Sequence, residues 1–184
     1  ALCEHGSLKS QLTKRAVGDG KLVAETRGEL PPKLDVDLAL DIAKGMHHLV
    51  EHNLVHRDLA ARNVLIDSAL VAKVADFGLS RAFSGESDYY KSTSGMMALR
   101  WTAPEAMSTL KFSMKTDVWA FGIVLLEIYE NGGTPLKGKL NAEVMSAVQS
   151  GYKAPKPGQC PPLMYDVMCS CWDLEPSSRP TFAK

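Results

Sequence analysis

The sequence predicts a mainly α-helical domain, of α+β type, with one small β-hairpin. Three observations predict it. Leu38, Ile42, Met46, Leu49 and Val50 recur at helical spacing, with Asp37, Asp41, Lys44 and Glu51 on the opposite side. Residues 118–129 are apolar nearly all round, interrupted by Glu127, which is the pattern of a central, buried helix. Val64-Leu65-Ile66 and Ala72-Lys73-Val74-Ala75 are short β-prone runs joined by a turn.

Residues 16–33 are rich in glycine, proline and charge, and are expected to form a surface insert. The helix over 35–52 then delivers the chain into His56. Pairing of the two hairpin strands brings Asn63 close to Asp76. From 78 to 104 polar and small residues dominate, a span too long for a simple connection and typical of a functional or switchable loop. Thr116 and Asp117 are expected to cap the central helix, which runs to Glu130 and ends at Gly132-Gly133. Further helical patterns cover 141–149 and 163–173, and no internal repeat is present.

The chain has 184 residues, 45% hydrophobic and 23% charged, enough to bury the core of one domain. With 21 Lys+Arg against 21 Asp+Glu the formal charge is zero, so no bulk field favours nucleic acid or an anionic membrane. Any electrostatic function must be local. The four cysteines lack zinc spacing, since Cys169 and Cys171 would point to nearly opposite sides of a helix. Sparse, unpatterned cysteine fits a reducing compartment and hence an intracellular location. The apolar run 118–129 is shorter than the about 20 residues that cross a bilayer. A first residue other than Met leads us to expect a processed or excised piece.

The densest chemistry lies in His56-Arg57-Asp58-Leu59-Ala60-Ala61-Arg62-Asn63, followed thirteen residues after Asn63 by Asp76-Phe77-Gly78. Acid, cation and amide groups in this order suit phosphoryl transfer. That reaction leaves little covalent work for the protein beyond placing a hydroxyl in line, holding metal ions and offsetting negative charge. The pattern resembles that of the protein kinase family, and within it the tyrosine kinase branch.

The resemblance implies roles for each position. Asp58 would accept or orient the substrate hydroxyl's proton, while Asn63 and Asp76 would ligate Mg²⁺, with Mn²⁺ as a substitute. Arg62, four residues after Asp58, marks the tyrosine branch and would reach the γ-phosphate of ATP; the serine/threonine branch carries a Lys two residues after the aspartate, where Ala60 stands. Arg100-Trp101-Thr102-Ala103-Pro104-Glu105 supports the same branch, and Glu105 would form a buried pair with Arg179. Ala98 departs from the pattern, standing where the family usually has Pro. Tyr89 and Tyr90 lie where the family is autophosphorylated, with Arg57 as the phosphate's partner. His56, Phe77, Gly78 and Asp117 would act as structural support. Cys3, Gly6 and Ser7 resemble the hinge that meets adenine and ribose, and Leu65 would form the floor under the base.

On this resemblance residues 1–184 are one kinase domain reduced to its helical C-terminal lobe. Residues 1–8 would be the hinge, 56–63 the catalytic loop and 76–105 the activation segment. The N-terminal lobe is absent, since no glycine-rich nucleotide loop, strand lysine or partner glutamate precedes His56. The intact enzyme would transfer the γ-phosphoryl of ATP to a protein or peptide tyrosine, without nucleic acid, and would meet a membrane only through parts of a parent chain. The piece alone is expected to be inactive. A catalytically silent binding module is the alternative; a serine/threonine specificity is disfavoured by Ala60, Arg62 and Trp101. Gly133 to Leu140 reads G-x-x-x-x-G-K-L, but Leu140 cannot supply the hydroxyl that a P-loop gives to Mg²⁺.

Overall fold

The computed structural model describes residues 3–17, 35–76, 81–82, 90–91 and 98–183. In chain order these form α1 (Leu8–Val17), α2 (Asp35–Glu51), β1 (Leu54–Val55), β2 (Val64–Ile66), β3 (Ala72–Val74), β4 (Arg81–Ala82), β5 (Tyr90–Lys91), α3 (Pro104–Thr109), β6 (Lys111–Phe112), α4 (Met114–Tyr129), α5 (Asn141–Gln149) and α6 (Pro162–Cys171). Short 3₁₀ turns lie at Ala61–Asn63, Leu99–Trp101 and Pro176–Ser178.

Every residue of α4 from Thr116 to Tyr129 is buried. A helix apolar on all sides has no face to give to water, so it must run through the middle. α1, α2 and α6 pack against it. α2 turns Leu38, Ile42, Met46 and Leu49 inward, the stripe read from its periodicity. The hairpin β2–β3 pairs antiparallel, with Val64 opposite Val74 and Ile66 opposite Ala72. Two further antiparallel ladders, β1–β4 and β5–β6, are each two residues long.

Several expectations change. α1 and α3 carry too few apolar positions to show a period: among its described side chains α1 buries Leu8, Gln11 and Leu12. Ala16 and Val17, expected in the surface insert, are the last turn of α1; residues 18–33 lie outside the described set. Ser113, not Thr116 or Asp117, caps α4. At φ −144° its extended backbone lets its hydroxyl accept from Lys115 N (3.2 Å), while its own N–H donates to Thr116 Oγ1 (3.1 Å). Asp117 is one turn inside the helix, where a carboxylate must look outward for donors.

α4 and α6 approach closely at Gly122, where a Cβ would stand 2.6 Å from Trp172 Nε1 and 2.8 Å from Cys171 Cβ. Gly122→Ala gains about 1 kcal/mol in helix propensity but overpacks a dense contact. The net expectation is a loss of up to about 2 kcal/mol in chemical denaturation; unchanged or raised stability would contradict this packing.

An ion pair spans the ends of the undescribed insert. Arg15 Nη1 meets Asp35 Oδ1 at 2.7 Å, with Arg15 also donating to Asn131 Oδ1 (2.5 Å) and to the Ile128 carbonyl (2.8 Å). Burial raises the Asp35 carboxyl above its ordinary 3.8, and the hydrogen bond and charge of Arg15 pull it back. In Arg15→Met only the raising cause remains. Because the folded value then lies further above the unfolded one, stability is retained at low pH and lost as pH rises through it. The variant's deficit should therefore be larger at pH 8 than at pH 5 in paired urea titrations, whereas an equal deficit would sever Asp35 from the effect.

Candidate active site

The loop 56–63 is held from beneath by α4. Asp117, 2% exposed, accepts His56 N at Oδ2 (2.8 Å) and Arg57 N at Oδ1 (2.9 Å). Burial pushes its carboxyl up to about 7, against the lowering effect of both N–H groups and of the Arg57 charge. Arg57 adopts φ +73°, a left-handed conformation that costs about 1 kcal/mol or more in a residue with a Cβ. Two donors on one fixed carboxylate hold that turn in place.

His56 is fully buried, its Nε2 3.0 Å from the Ala75 carbonyl and its Nδ1 3.3 Å from Asp58 N. The amide of Asp58 can only donate, which assigns Nδ1 as acceptor and the ring proton to Nε2. Burial lowers the His56 pKa, so the neutral ring braces the loop against β3.

On this support the side chains of Asp58, Arg62 and Asn63 gather. Asn63 Nδ2 donates to both the carbonyl (2.7 Å) and Oδ2 (2.8 Å) of Asp58, and Arg62 Nη2 donates to Asp58 Oδ1. Both carboxylate oxygens are thus engaged from opposite sides, which locks the Asp58 rotamer. Arg62 is exposed and lies over the Trp101 ring, 4.6 Å from its centroid. Its guanidinium thus touches both Asp58 and Trp101. Ala75 N donates to the Asn63 carbonyl (2.9 Å), continuing the β2–β3 ladder, so Asp76 is the next residue beyond the partner of Asn63. It is exposed, at φ +60°.

The N-terminal segment also joins the hairpin. Ser7 bridges Leu65, His5 N donates to the Ile66 carbonyl (3.2 Å) and Ile66 N to the Gly6 carbonyl (2.9 Å). Cys3, whose carbonyl accepts Gly6 N at 3.3 Å, is carried beside them. Gly6 is required by its φ of +71° and not by crowding, since a Cβ there would meet nothing within 4 Å. The Ser7 hydroxyl accepts Ser10 N (3.2 Å) and caps α1.

After the loop, Glu105 and Arg179 form a bidentate pair at 2.7 and 2.8 Å. Arg179 also donates to the carbonyls of Asp173 (2.8 Å) and Lys115 (2.9 Å). Ala98 holds φ −76°, inside the range that a proline ring would impose, so the turn keeps its shape without proline. Arg100 donates to the carbonyls of Pro135 (2.9 Å), Leu136 (2.6 Å) and Lys139 (2.6 Å). Those carbonyls belong to the stretch that mimics a P-loop; it follows α4, not a strand. Phe77, Gly78 and Tyr89 lie outside the described residues. Tyr90 is described in its backbone, which pairs with Phe112, and the Arg57 guanidinium sits 4.9 Å from the Phe112 ring centroid.

One residue central to this geometry escaped sequence reasoning. Glu127, 1% exposed, accepts Ala61 N (2.9 Å) and Trp101 Nε1 (2.9 Å) at Oε2, and Lys9 Nζ (3.3 Å) at Oε1. Its signal was a lone carboxylate in an apolar helix, which must find buried donors.

Among the described residues no three His, Cys, Asp or Glu side chains gather as a metal cage. Asn63 commits its amide nitrogen to Asp58, which leaves the amide oxygen as its ligand atom. With the Asp76 carboxylate it would offer the hard oxygen donors that a Mg²⁺ ion takes.

A family profile described as protein tyrosine and serine/threonine kinase matches residues 1–184. Human tyrosine-protein kinase FRK is 42% identical over 183 residues, covering 98% of this chain and 34% of that protein. Human tyrosine-protein kinase Srms is 46% identical over 154 residues, covering 84% of this chain and 31% of that protein. The chain thus spans about a third of the length of these curated relatives.

Glu105→Ala would leave the Arg179 guanidinium buried without its carboxylate, a change that costs about 3 to 5 kcal/mol. Urea unfolding should show that loss, and Glu105→Ala with Arg179→Met should recover part of it. A loss under about 1 kcal/mol would mean that the pair adds no more than an exposed one.

Proposed function

Because the chain belongs to the protein tyrosine and serine/threonine kinase family, we propose that it is the catalytic-loop lobe of a protein-tyrosine kinase. This lobe is the helical C-terminal one. The observation that carries the reading is the Asp58 carboxylate held between Asn63 and Arg62 beside the β2–β3 hairpin. Both relatives are tyrosine-protein kinases, which supports a tyrosine hydroxyl as acceptor.

In this reading Asp58 orients the tyrosine hydroxyl and accepts its proton as the oxygen attacks the γ-phosphorus of ATP. Its hydrogen bonds from Arg62 and Asn63 fix the carboxylate, so the hydroxyl would meet an oriented acceptor. The Asn63 amide oxygen and the Asp76 carboxylate would hold Mg²⁺, which would supply positive charge opposite the phosphates. Arg62 places a guanidinium at the same point, and its stacking on Trp101 keeps it extended across Asp58. The segment Cys3 to Ser7, tied to Leu65, presents hinge and floor to the adenine. The Tyr90 backbone pairs with Phe112, whose ring the Arg57 guanidinium faces, and this supports regulation by a phosphotyrosine at Tyr89 or Tyr90. No helix among the described residues is long and apolar enough to cross a membrane, and an intracellular setting, where ATP and Mg²⁺ are abundant, fits the reaction.

Residues 1–184 contain no glycine-rich loop to cover the phosphates. Assayed alone with ATP, Mg²⁺ and a tyrosine peptide they should show no turnover. Joined to a nucleotide-covering lobe from a relative they should turn over, and Asp58→Asn should cost about 100-fold or more in kcat. Turnover by the isolated chain that Asp58→Asn abolishes would refute the need for the second lobe. A joined chain that binds ATP yet shows no Asp58-dependent turnover would favour the silent binding module.

A further inference from the structure

Glu127 is a buried carboxylate of α4 that the proposed chemistry does not use, and its three donors come from three different parts of the chain. Lys9 lies in α1, directly after the segment that pairs with Leu65; Ala61 opens the 3₁₀ turn that carries Arg62 and Asn63; Trp101 closes the 3₁₀ turn Leu99–Trp101. The first N–H of a 3₁₀ turn has no partner within the turn. Here a carboxylate from another element supplies it. The same oxygen takes the Trp101 indole, whose ring lies against Arg62, which in turn holds Asp58. Ala61 has no exposed surface, so the turn rests directly on α4.

We propose that Glu127 is a positioning residue for phosphoryl transfer, aligning Asp58 through Trp101 and Arg62. The carboxylate orients the indole, the indole face sets the height of the guanidinium, and the guanidinium fixes one oxygen of Asp58. Through Ala61 the same group sets the pitch of the turn from which Arg62 and Asn63 project. Buried networks of this kind act as a unit, so loss of one link loosens the next. The inference rests on the kinase reading, and its test separates the two.

The experiment uses the kinase with both lobes joined. Glu127→Gln keeps the size of the side chain but replaces one acceptor oxygen by a donor, and Trp101→Phe keeps an aromatic face while deleting the N–H. Each is expected to lower kcat, by up to about 100-fold, measured per folded molecule by active-site titration. The double variant is expected to be no worse than the poorer single, a departure from multiplicative losses by about fivefold or more. Wild-type kcat in either single, or losses that multiply, would overturn the relay. Should Glu127→Gln fail to fold, Trp101→Phe decides alone. A spectroscopic readout stands apart from activity: Trp119 Nε1 and Trp172 Nε1 are buried without hydrogen-bond partners among the described residues, so Trp101 gives the distinct indole resonance. Glu127→Gln should shift that resonance and the Arg62 side-chain signal together. An unmoved Arg62 signal would sink the relay, whereas absent Asp58-dependent turnover in the wild type would sink only the kinase reading.

Discussion

A buried carboxylate must be met by donors, and α4 carries two of them, Asp117 and Glu127, in an otherwise apolar helix. They stand ten residues apart in the sequence, about 15 Å along the axis. Neither finds its donors within the helix. Asp117 takes the backbone N–H groups of His56 and Arg57, and Glu127 takes that of Ala61. Both ends of one short loop are therefore pinned to one helix. Packing of the core and placement of Asp58 are the same problem: a helix shifted by a fraction of a turn would strand two charges and release the loop.

The loop needs such pinning because its path is strained. Arg57 before Asp58 and Asp76 after the hairpin both hold positive φ, and conformations of that kind persist only where the surroundings over-determine them. His56 adds a third constraint by linking the Asp58 amide to the Ala75 carbonyl through one imidazole. Arg179 extends the scheme to the following segment, its buried guanidinium joining Glu105, Asp173 and Lys115. The flanks of Asp58 are thus fixed by charges inside the protein, while Arg62 and Asp76 remain at the surface.

Long elements with a clear period were legible in the residues. The stripe of α2, the all-round apolarity of α4, the 141–149 helix and the 64–66 with 72–74 hairpin all needed only side-chain spacing. The unread elements share a different cause. α1 buries three of its described side chains, α3 is six residues long, and the ladders β1–β4 and β5–β6 are two residues deep, so none carries a pattern of its own. They exist because neighbouring elements offer them partners, as when Ser7 meets Leu65. The cap of α4 moved from Thr116 and Asp117 to Ser113 for a local reason: only the residue with extended backbone can serve.

The order of groups from His56 to Asn63, with Asp76-Phe77-Gly78 beyond, was enough by itself to show the resemblance to the family, because that set of residues at that spacing is the family's signature. Mean spacing was likewise enough to place a buried helix at the centre. What only the folded chain decided was which donors those buried carboxylates would find. Glu127 reads in sequence as a blemish in an apolar run; in three dimensions it meets Lys9, Ala61 and Trp101, residues 118, 66 and 26 positions away. Hydrogen bonds across such separations depend on how helices stack, and no pattern within a window of sequence encodes that.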